Sequence, residues 1–435
     1  MFGARTVEGR FRTLRSWADA ALIAVLFAVP WIRIGGEPLV LLDVPARKFH
    51  VFGLVIFPQE LYFLWLLVAG AALALFFFTA LFGRVWCGWA CPQTVFTDVF
   101  AAIARRIEGW RGHERPKRVA AWRRVATHAV LALASAAIGF HLVGYFRSPY
   151  ELLPSLAGGR AGGPAAGFLA AASALAYVDF VFLRQTFCKY LCPYARLQSV
   201  LFDSDTLVVG YDAARGEPRG KRSRAQGDCV DCGLCVAVCP AGIDIRNGLQ
   251  LECIACTQCI DACDGVMEKV GRDPGLIAYR SLASAAGGRA RLLRPRVALY
   301  GALLAAVVLA FGALAARRLP MDLTVDHNRD ALTSRAADGR IGNAFTLRIE
   351  NRDRVEREFA IGLAEPGFEL VAGVNPVRVA ATSALEARVF VLAAEPLAEG
   401  ASLTFLLDRR GKGGGRVARS ARFLAPGGDH AHRGR

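Results

Sequence analysis

The sequence predicts a multi-domain membrane protein: five transmembrane α-helices, a cysteine-rich domain between the fourth and fifth helices, and a C-terminal β-sandwich. Three observations predict it. Apolar residues make up 54% of the 435 residues and the mean hydropathy is +0.34, high for a soluble chain. Five apolar runs approach or exceed the ~20 residues that cross a bilayer. All 12 cysteines fall into four short motifs, so none is left over for core packing or disulfides.

The first run, Trp17–Ile34, follows Arg5, Arg10, Arg12 and Arg15 and ends in Pro30-Trp31-Ile32-Arg33 with no small-residue cleavage site, so it reads as a retained helix. Residues 35–59 read as a loop. Glu60–Phe82 is the second span, Val125–Phe146 the third and Ala165–Phe187 the fourth. Between residues 83 and 123 stand eight Lys or Arg, which places this loop on the cytoplasmic side by the positive-inside rule. Within it, Thr94–Ile107 has apolar residues at helical spacing, as in a helix lying on the membrane surface or a solvent-exposed helix of the loop. Residues 203–296 are polar and end in Arg289, Arg291, Arg294 and Arg296; Val297–Ala316 is the fifth span. Five spans set the N-terminus and residues 203–296 inside and the C-terminus outside, in a bacterial inner membrane. The net charge of +16 follows these loops, and no interleaving of aromatic and basic residues suggests a nucleic-acid groove.

Residues 320–424 change character. Short alternating runs such as Phe345–Ile349, Phe359–Leu363, Arg388–Leu392 and Leu403–Leu407 are divided by turn residues, the pattern of a β-sandwich of about 100 residues. The tail 425–435 reads as disordered, and its His430 and His432 as inert.

The run Cys229-x2-Cys232-x2-Cys235-x3-Cys239-Pro240 recurs as Cys253-x2-Cys256-x2-Cys259-x3-Cys263. This is the spacing of bacterial two-cluster ferredoxins, in which three close thiolates hold one cluster and the fourth reaches the other. It predicts two [4Fe–4S] clusters, one on Cys229, Cys232, Cys235 and Cys263, the other on Cys253, Cys256, Cys259 and Cys239. Zinc favours paired ligands across a longer spacer, and disulfides do not persist in a reducing compartment.

The remaining cysteines form a second repeat. Trp86-Cys87-x-Trp89-x-Cys91-Pro92 and Phe187-Cys188-x-Tyr190-x-Cys192-Pro193 lie 101 residues apart, each closing a two-span hairpin. Proline disfavours helix at the residue before it, so each pair sits at a helix break near the cytoplasmic surface. Cys87, Cys91, Cys188 and Cys192 are therefore candidate redox residues. Soft thiolates suit Cu(I), zinc or iron–sulfur centres, and transient copper binding, a thiol–disulfide couple and a docking site for the clusters all fit. Structural packing at a helix end is the bland alternative.

His128 and His141 in the third span have the separation of a two-haem helix, but no other span supplies a partner histidine. Asp179 in the fourth span is an intramembrane candidate for proton or ion handling. No P-loop and no Gly-x-Gly-x-x-Gly after a strand is present, so nothing marks a nucleotide or flavin site.

With these motifs placed, the chain resembles the FixG/RdxA/CcoG family of cytochrome c oxidase accessory proteins. The resemblance rests on Leu42–Gly53, on Gly83–Thr94, on the Cys188/Cys192 repeat and above all on Cys229–Met267, where Asp264 replaces the proline that usually follows the last cysteine of small ferredoxins. It runs nearly end to end, and Asp330–Asn351 is similar to the start of the family's periplasmic immunoglobulin-like domain. The resemblance implies a role in assembly of the cbb-type oxidase, with Cu(II) reduced to Cu(I) for delivery to copper chaperones and oxidase subunits. The electron donor is not implied. The competing expectation is an electron-transfer subunit of a quinol dehydrogenase of the NapH type, which generally lacks the C-terminal sandwich. A third is a structural assembly factor whose clusters only shape a docking surface.

Overall fold

The computed structural model describes residues 4–424 apart from 111–115, 117, 161, 221–226, 286–287, 289–290, 329–332, 337, 394–400 and 412–413. The expected tail 425–435, with His430 and His432, lies outside the described residues. Two compact units make up the chain, Met1–Gly312 and Ala313–Arg435.

Among the described residues, five helices are long and apolar enough to cross a membrane: Arg10–Trp31, Pro58–Phe82, Ala121–Gly144, Gly163–Leu183 and Pro295–Ala316. The first, α1 (Arg10–Ala28), starts well before its apolar run. Its basic first turns are held by acids from other elements. Asp261 accepts from the Phe11 and Arg12 backbone N–H groups, and Asp98 pairs with Arg12 and Arg15 at 2.7 Å each. A carboxylate at a helix N-terminus satisfies N–H groups that lack intrahelical partners.

After α2 (Leu61–Phe82) come the short α3 (Val85–Trp89) and α4 (Pro92–Glu108). Contrary to the expectation of a helix lying on the membrane surface, α4 is packed into the protein. Phe96, Phe100, Ala101 and Ala104 bury against Leu131 of α5 (Ala121–Gly144) and against Phe180 and Val181. Its apolar face is satisfied by neighbouring helices. The short α6 (Pro149–Ala157) leads to α7 (Gly163–Val178), and α7 lies close to α5 where Gly139 faces Ser173. A Cβ at Gly139 would stand 2.9 Å from the Ser173 nitrogen, a small-residue approach common between membrane helices.

The fourth span differs from the uninterrupted helix expected over 165–187. Beyond α7 it widens into a π-helical turn, Asp179–Leu183, breaks at Arg184 (φ 49°), and resumes as a second π turn, Phe187–Leu191, before α8 (Pro193–Leu201). Gln93 stitches the break: its amide nitrogen donates to Asp179 Oδ1 and to the Arg184 carbonyl, both at 3.0 Å.

Residues 35–59, read as a loop, carry an antiparallel three-stranded sheet, Val40–Asp43, Lys48–Val51 and Leu54–Ile56, with Leu41 opposite His50. Its strands, three or four residues each, are too short for alternation to show. The cysteine-rich domain is closed by strands Val208–Tyr211 and Ile277–Arg280, paired antiparallel over a core of Val209, Ile243, Ile245, Ile260 and Ile277.

The second unit is a sandwich of antiparallel sheets. One has the order Phe368–Ala372, Ser383–Ala393, Ile341–Asn351, Met321–His327, with Ser334–Arg335 beside the third. The other has the order Val377–Val379, Arg357–Leu363, Ser402–Arg409, Gly415–Arg422. Alternate residues Phe345, Leu347 and Ile349 point inward and meet Phe359, Phe405 and Leu407. Each such side chain contributes roughly 1.5–3 kcal/mol by its burial.

Candidate functional site

The two cysteine loops repeat in backbone conformation as well as in sequence. Around the second thiol of each repeat, Asp231 (φ 52°) and Gly233 (φ 66°) in the first loop match Ala255 (φ 54°) and Thr257 (φ 62°) in the second. Left-handed conformations at Ala and Thr are costly. Their recurrence at equivalent positions shows that the two loops share one tightly curled backbone conformation.

The loops bring the thiols together in two groups. Cys239, Cys253, Cys256 and Cys259, with Cys235 beside them, line a pocket with apolar walls from Val209, Ile243, Ile245 and Ile254. Cys263 is surrounded by Cys235, Cys229 and Cys232. Cys229 and Cys263 pack on Met267 and Leu276. Burial, and then repulsion from neighbouring thiolates, pushes Cys256 and Cys263 up to about 12 and Cys259 well above its ordinary value. Buried sulfurs that oppose one another's ionisation fit a polynuclear cationic centre, which would offset the cost of their negative charge. Cys235 borders both groups. Near the exposed Cys232, Arg246 bridges Asp231 (2.5 Å) and Asp244 (2.7 Å).

The second repeat is equally regular. Cys91 and Cys192 are the N-cap residues of α4 and α8, in extended conformation, and Pro92 and Pro193 open those helices. Cys87 lies in α3, and Cys188 in the π turn Phe187–Leu191. The four thiols neighbour one another: Cys91, Cys87 and Cys192 all act on Cys188. Burial pushes Cys87 and Cys188 up to about 12. Cys87 Sγ donates to Gln198 Oε1 at 3.2 Å, and Thr94 Oγ1 donates to the Cys87 carbonyl at 2.6 Å. Among the described residues, no three His, Cys, Asp or Glu side chains are gathered closely enough to hold a single metal ion.

The first membrane pair touches a cysteine loop. Cys87 packs with Ile254, Cys256 and Tyr194 in one apolar cluster. The contact depends on Gly88, where a Cβ would lie 2.6 Å from both the Ile254 and Ala255 carbonyl oxygens. Trp89 and Tyr279 flank Phe11 edge-on, with centroids at 6.5 and 6.2 Å, and Tyr279 Oη donates to the Ala255 carbonyl at 3.4 Å. The Arg84 guanidinium donates to the Leu251 and Ala195 carbonyls, joining the loop to α8. Gly88, Tyr194, Gln198 and Asp261 were not singled out from the sequence. Only the glycine inside Trp86-Cys87-Gly88-Trp89 carried a signal.

The histidines of the third span are engaged separately. His128 Nδ1 bonds Tyr177 Oη at 2.7 Å, and His141 Nε2 accepts from Trp31 Nε1 at 3.2 Å.

Three families match the chain: a 4Fe-4S binding domain over residues 63–111, a 4Fe-4S dicluster domain over 183–282, and the IG-like fold at the C-terminus of FixG over 311–426. Protein RdxA of Cereibacter sphaeroides is 40% identical, over 89% of this chain and 88% of its own. Nitrogen fixation protein FixG of Rhizobium meliloti is 35% identical, over 90% and 83%. Ferredoxin-type protein NapH of Haemophilus influenzae is 26% identical, over 46% and 66%.

Proposed function

This chain belongs to the family of FixG- and RdxA-like iron–sulfur proteins with a C-terminal Ig-like domain, a membrane-associated electron-transfer family, and from that premise we propose that it reduces Cu(II) to Cu(I) during assembly of a cbb-type oxidase. In this reading Cys229, Cys232, Cys235 and Cys263 hold one [4Fe–4S] cluster, and Cys239, Cys253, Cys256 and Cys259 the other. When bound, the clusters supply one-electron reduction. Copper is the substrate; each Cu(II) takes one electron and leaves as Cu(I), which thiolates favour.

The observation that carries the reading is the packing of Cys87 on Cys256. It sets one thiol of the membrane pairs against a thiol of the cysteine loop, with Gly88 keeping the backbones close. Cys91, Cys188 and Cys192 are the further soft donors beside it. Gln198 orients the Cys87 thiol, and Arg84 fixes the loop against α8. The charge distribution supports a cytoplasmic N-terminus and cysteine-rich domain and a periplasmic Ig-like domain. Copper chaperones and oxidase subunits are the partners this assigns.

The test is anaerobic. The purified protein is reduced, freed of excess reductant and mixed with Cu(II) and a Cu(I)-specific chelator. Matched loss of cluster reduction and appearance of Cu(I), abolished when Cys87, Cys91, Cys188 and Cys192 are all changed to Ser with clusters retained, supports the reading. Clusters that stay reduced beside Cu(II) defeat it. The second reading is an electron-transfer subunit of a quinol dehydrogenase; reoxidation or reduction of the clusters by a quinone couple and not by copper would select it.

A further inference from the structure

Below the break in the fourth span lies a pocket that the electron-transfer reading does not use. It lies between α4, the start of α1, the Arg184-Gln185 break and Pro240 of the cysteine-rich domain. Arg5, Arg12, Arg105 and Arg184 line it, and Asp98 is the one acid among its lining residues. Asp98 is already engaged, since its Oδ2 takes both Arg12 and Arg15 at 2.7 Å. The Arg105 side chain makes no hydrogen bond or ion pair among the described residues, although it is half-buried. A neighbouring cleft, which shares Arg184, Gln185 and Pro240, adds Lys189.

The second observation is Gln185. Its side chain lines both cavities and the residue is 8% exposed, yet neither amide nitrogen nor amide oxygen has a partner. A buried primary amide with all its hydrogen bonds unmade costs several kcal/mol of desolvation. Burial, first of all, holds the Arg105 and Arg184 guanidiniums below their ordinary range; Asp98 opposes this at both, while repulsion from Arg12 and from Arg105 respectively adds to it. Crowded, partly desolvated guanidiniums beside an unpaired amide donor are the chemistry that recognises an oxyanion with several acceptor oxygens.

We propose that this pocket binds a phosphate-bearing anion, held by Arg105 and Arg184 with the Gln185 amide as hydrogen-bond donor. Two sources share that chemistry. The pocket lies where the span Gly163–Leu183 ends, the level at which anionic phospholipid headgroups sit, and basic pockets at helix ends take such headgroups. Free phosphate or a soluble phosphate ester is the other source. In either case the anion would tie the Arg184 break, and with it the turn carrying Cys188, to the segment carrying Cys239 and Pro240.

The test uses the full chain with its clusters, in phosphate-free detergent buffer, titrated calorimetrically in two arms. One arm adds inorganic phosphate, the other dihexanoyl phosphatidylglycerol below its micelle concentration. Saturable one-to-one binding is expected in at least one arm. Saturation by the lipid alone assigns a headgroup site, and saturation by phosphate assigns a free-anion site. Arg105→Gln and Gln185→Leu, each removing one strong contact, weaken the binding by at least about tenfold, with cluster absorbance unchanged. Should one variant fail to fold, the other and the wild-type titrations decide. Absence of saturable binding in both arms, or equal affinity in a folded variant, overturns the proposal.

Discussion

Asp261, in the middle of the second cysteine repeat, caps the first turn of α1, which begins at Arg10. Its Oδ2 accepts from the Arg12 backbone N–H at 2.7 Å and its Oδ1 from that of Phe11 at 3.1 Å. The fit is tight enough that a Cβ at Gly9 would collide with the Asp261 side chain. A residue between two candidate cluster ligands thus holds the first membrane helix in place. Asp261→Ala removes the cap, and the expected loss is about 0.5–2 kcal/mol, the range for N-caps. Limited proteolysis at Arg5 and Arg10 should accelerate while cluster absorbance is retained. Unchanged cleavage would show that α1 is held by Asp98 alone.

Gly88 is a position where side-chain volume should uncouple two sites. With Ile254 and Ala255 carbonyl oxygens 2.6 Å from where a Cβ would stand, Gly88→Ala forces α3 away from the loop, an overpacking of typically ~1–3 kcal/mol. The predicted result is slower electron delivery from reduced clusters to copper, read by stopped-flow reoxidation, with the amount of bound iron unchanged. A rate equal to that of wild type would mean that the Cys87–Cys256 contact is not on the electron path.

Much of this site was legible because covalent spacing shows directly in a sequence. The four-cysteine repeat, the twin Cys-x3-Cys-Pro motifs and the apolar runs each impose their pattern within a dozen or two residues. What escaped notice depends on contacts across long separations. Asp261 meets Arg12 from 249 residues away, and no local pattern marks a carboxylate as the cap of a distant helix. The polar stretch Arg184-Gln185-Thr186 stands in the sequence at the break, but the bonds from Gln93 to Asp179 and Arg184 that join it to α4 come from about 90 residues away and leave no local pattern. The sheet over Val40–Ile56 escaped because strands this short barely alternate. The burial of α4 escaped because an amphipathic face reads the same whether it meets lipid or protein.

His50 gives that small sheet a pH dependence. It is buried opposite Leu41, and its Nδ1 lies 3.4 Å from Glu37 Oε2. Burial lowers its pKa below the ordinary 6.5, against the opposing pull of Glu37. Because the folded state holds the neutral imidazole, the unfolded chain takes up its proton first as pH falls. The stabilisation is therefore present above 6.5 and is lost as pH drops through the folded value. Corrected for the intrinsic slowing of amide exchange in acid, the protection of the Lys48–Val51 amides should fall on acidification below 6.5, and His50→Gln should flatten that response. An equally steep profile in the variant would assign the acid sensitivity to another group.

In the C-terminal sandwich, Asn351 and Phe405 test two different kinds of cohesion. Asn351 is fully buried, and its amide nitrogen donates to the Val355, Val379 and Ala380 carbonyls at 2.9, 2.9 and 3.0 Å, joining a strand of one sheet to the edge of the other. Asn351→Ala leaves those carbonyls without their donor, a cost of about 1–3 kcal/mol. Phe405 crosses the core to Phe345, with ring centroids 5.1 Å apart. Phe405→Ala removes that ring and leaves a cavity, a cost of about 3–5 kcal/mol. Calorimetry of the full chain should therefore show the transition of this unit shifted down in both variants, further for Phe405→Ala, with iron content unaltered. A larger shift for Asn351→Ala would make the buried amide, rather than the aromatic core, the dominant tie between the sheets.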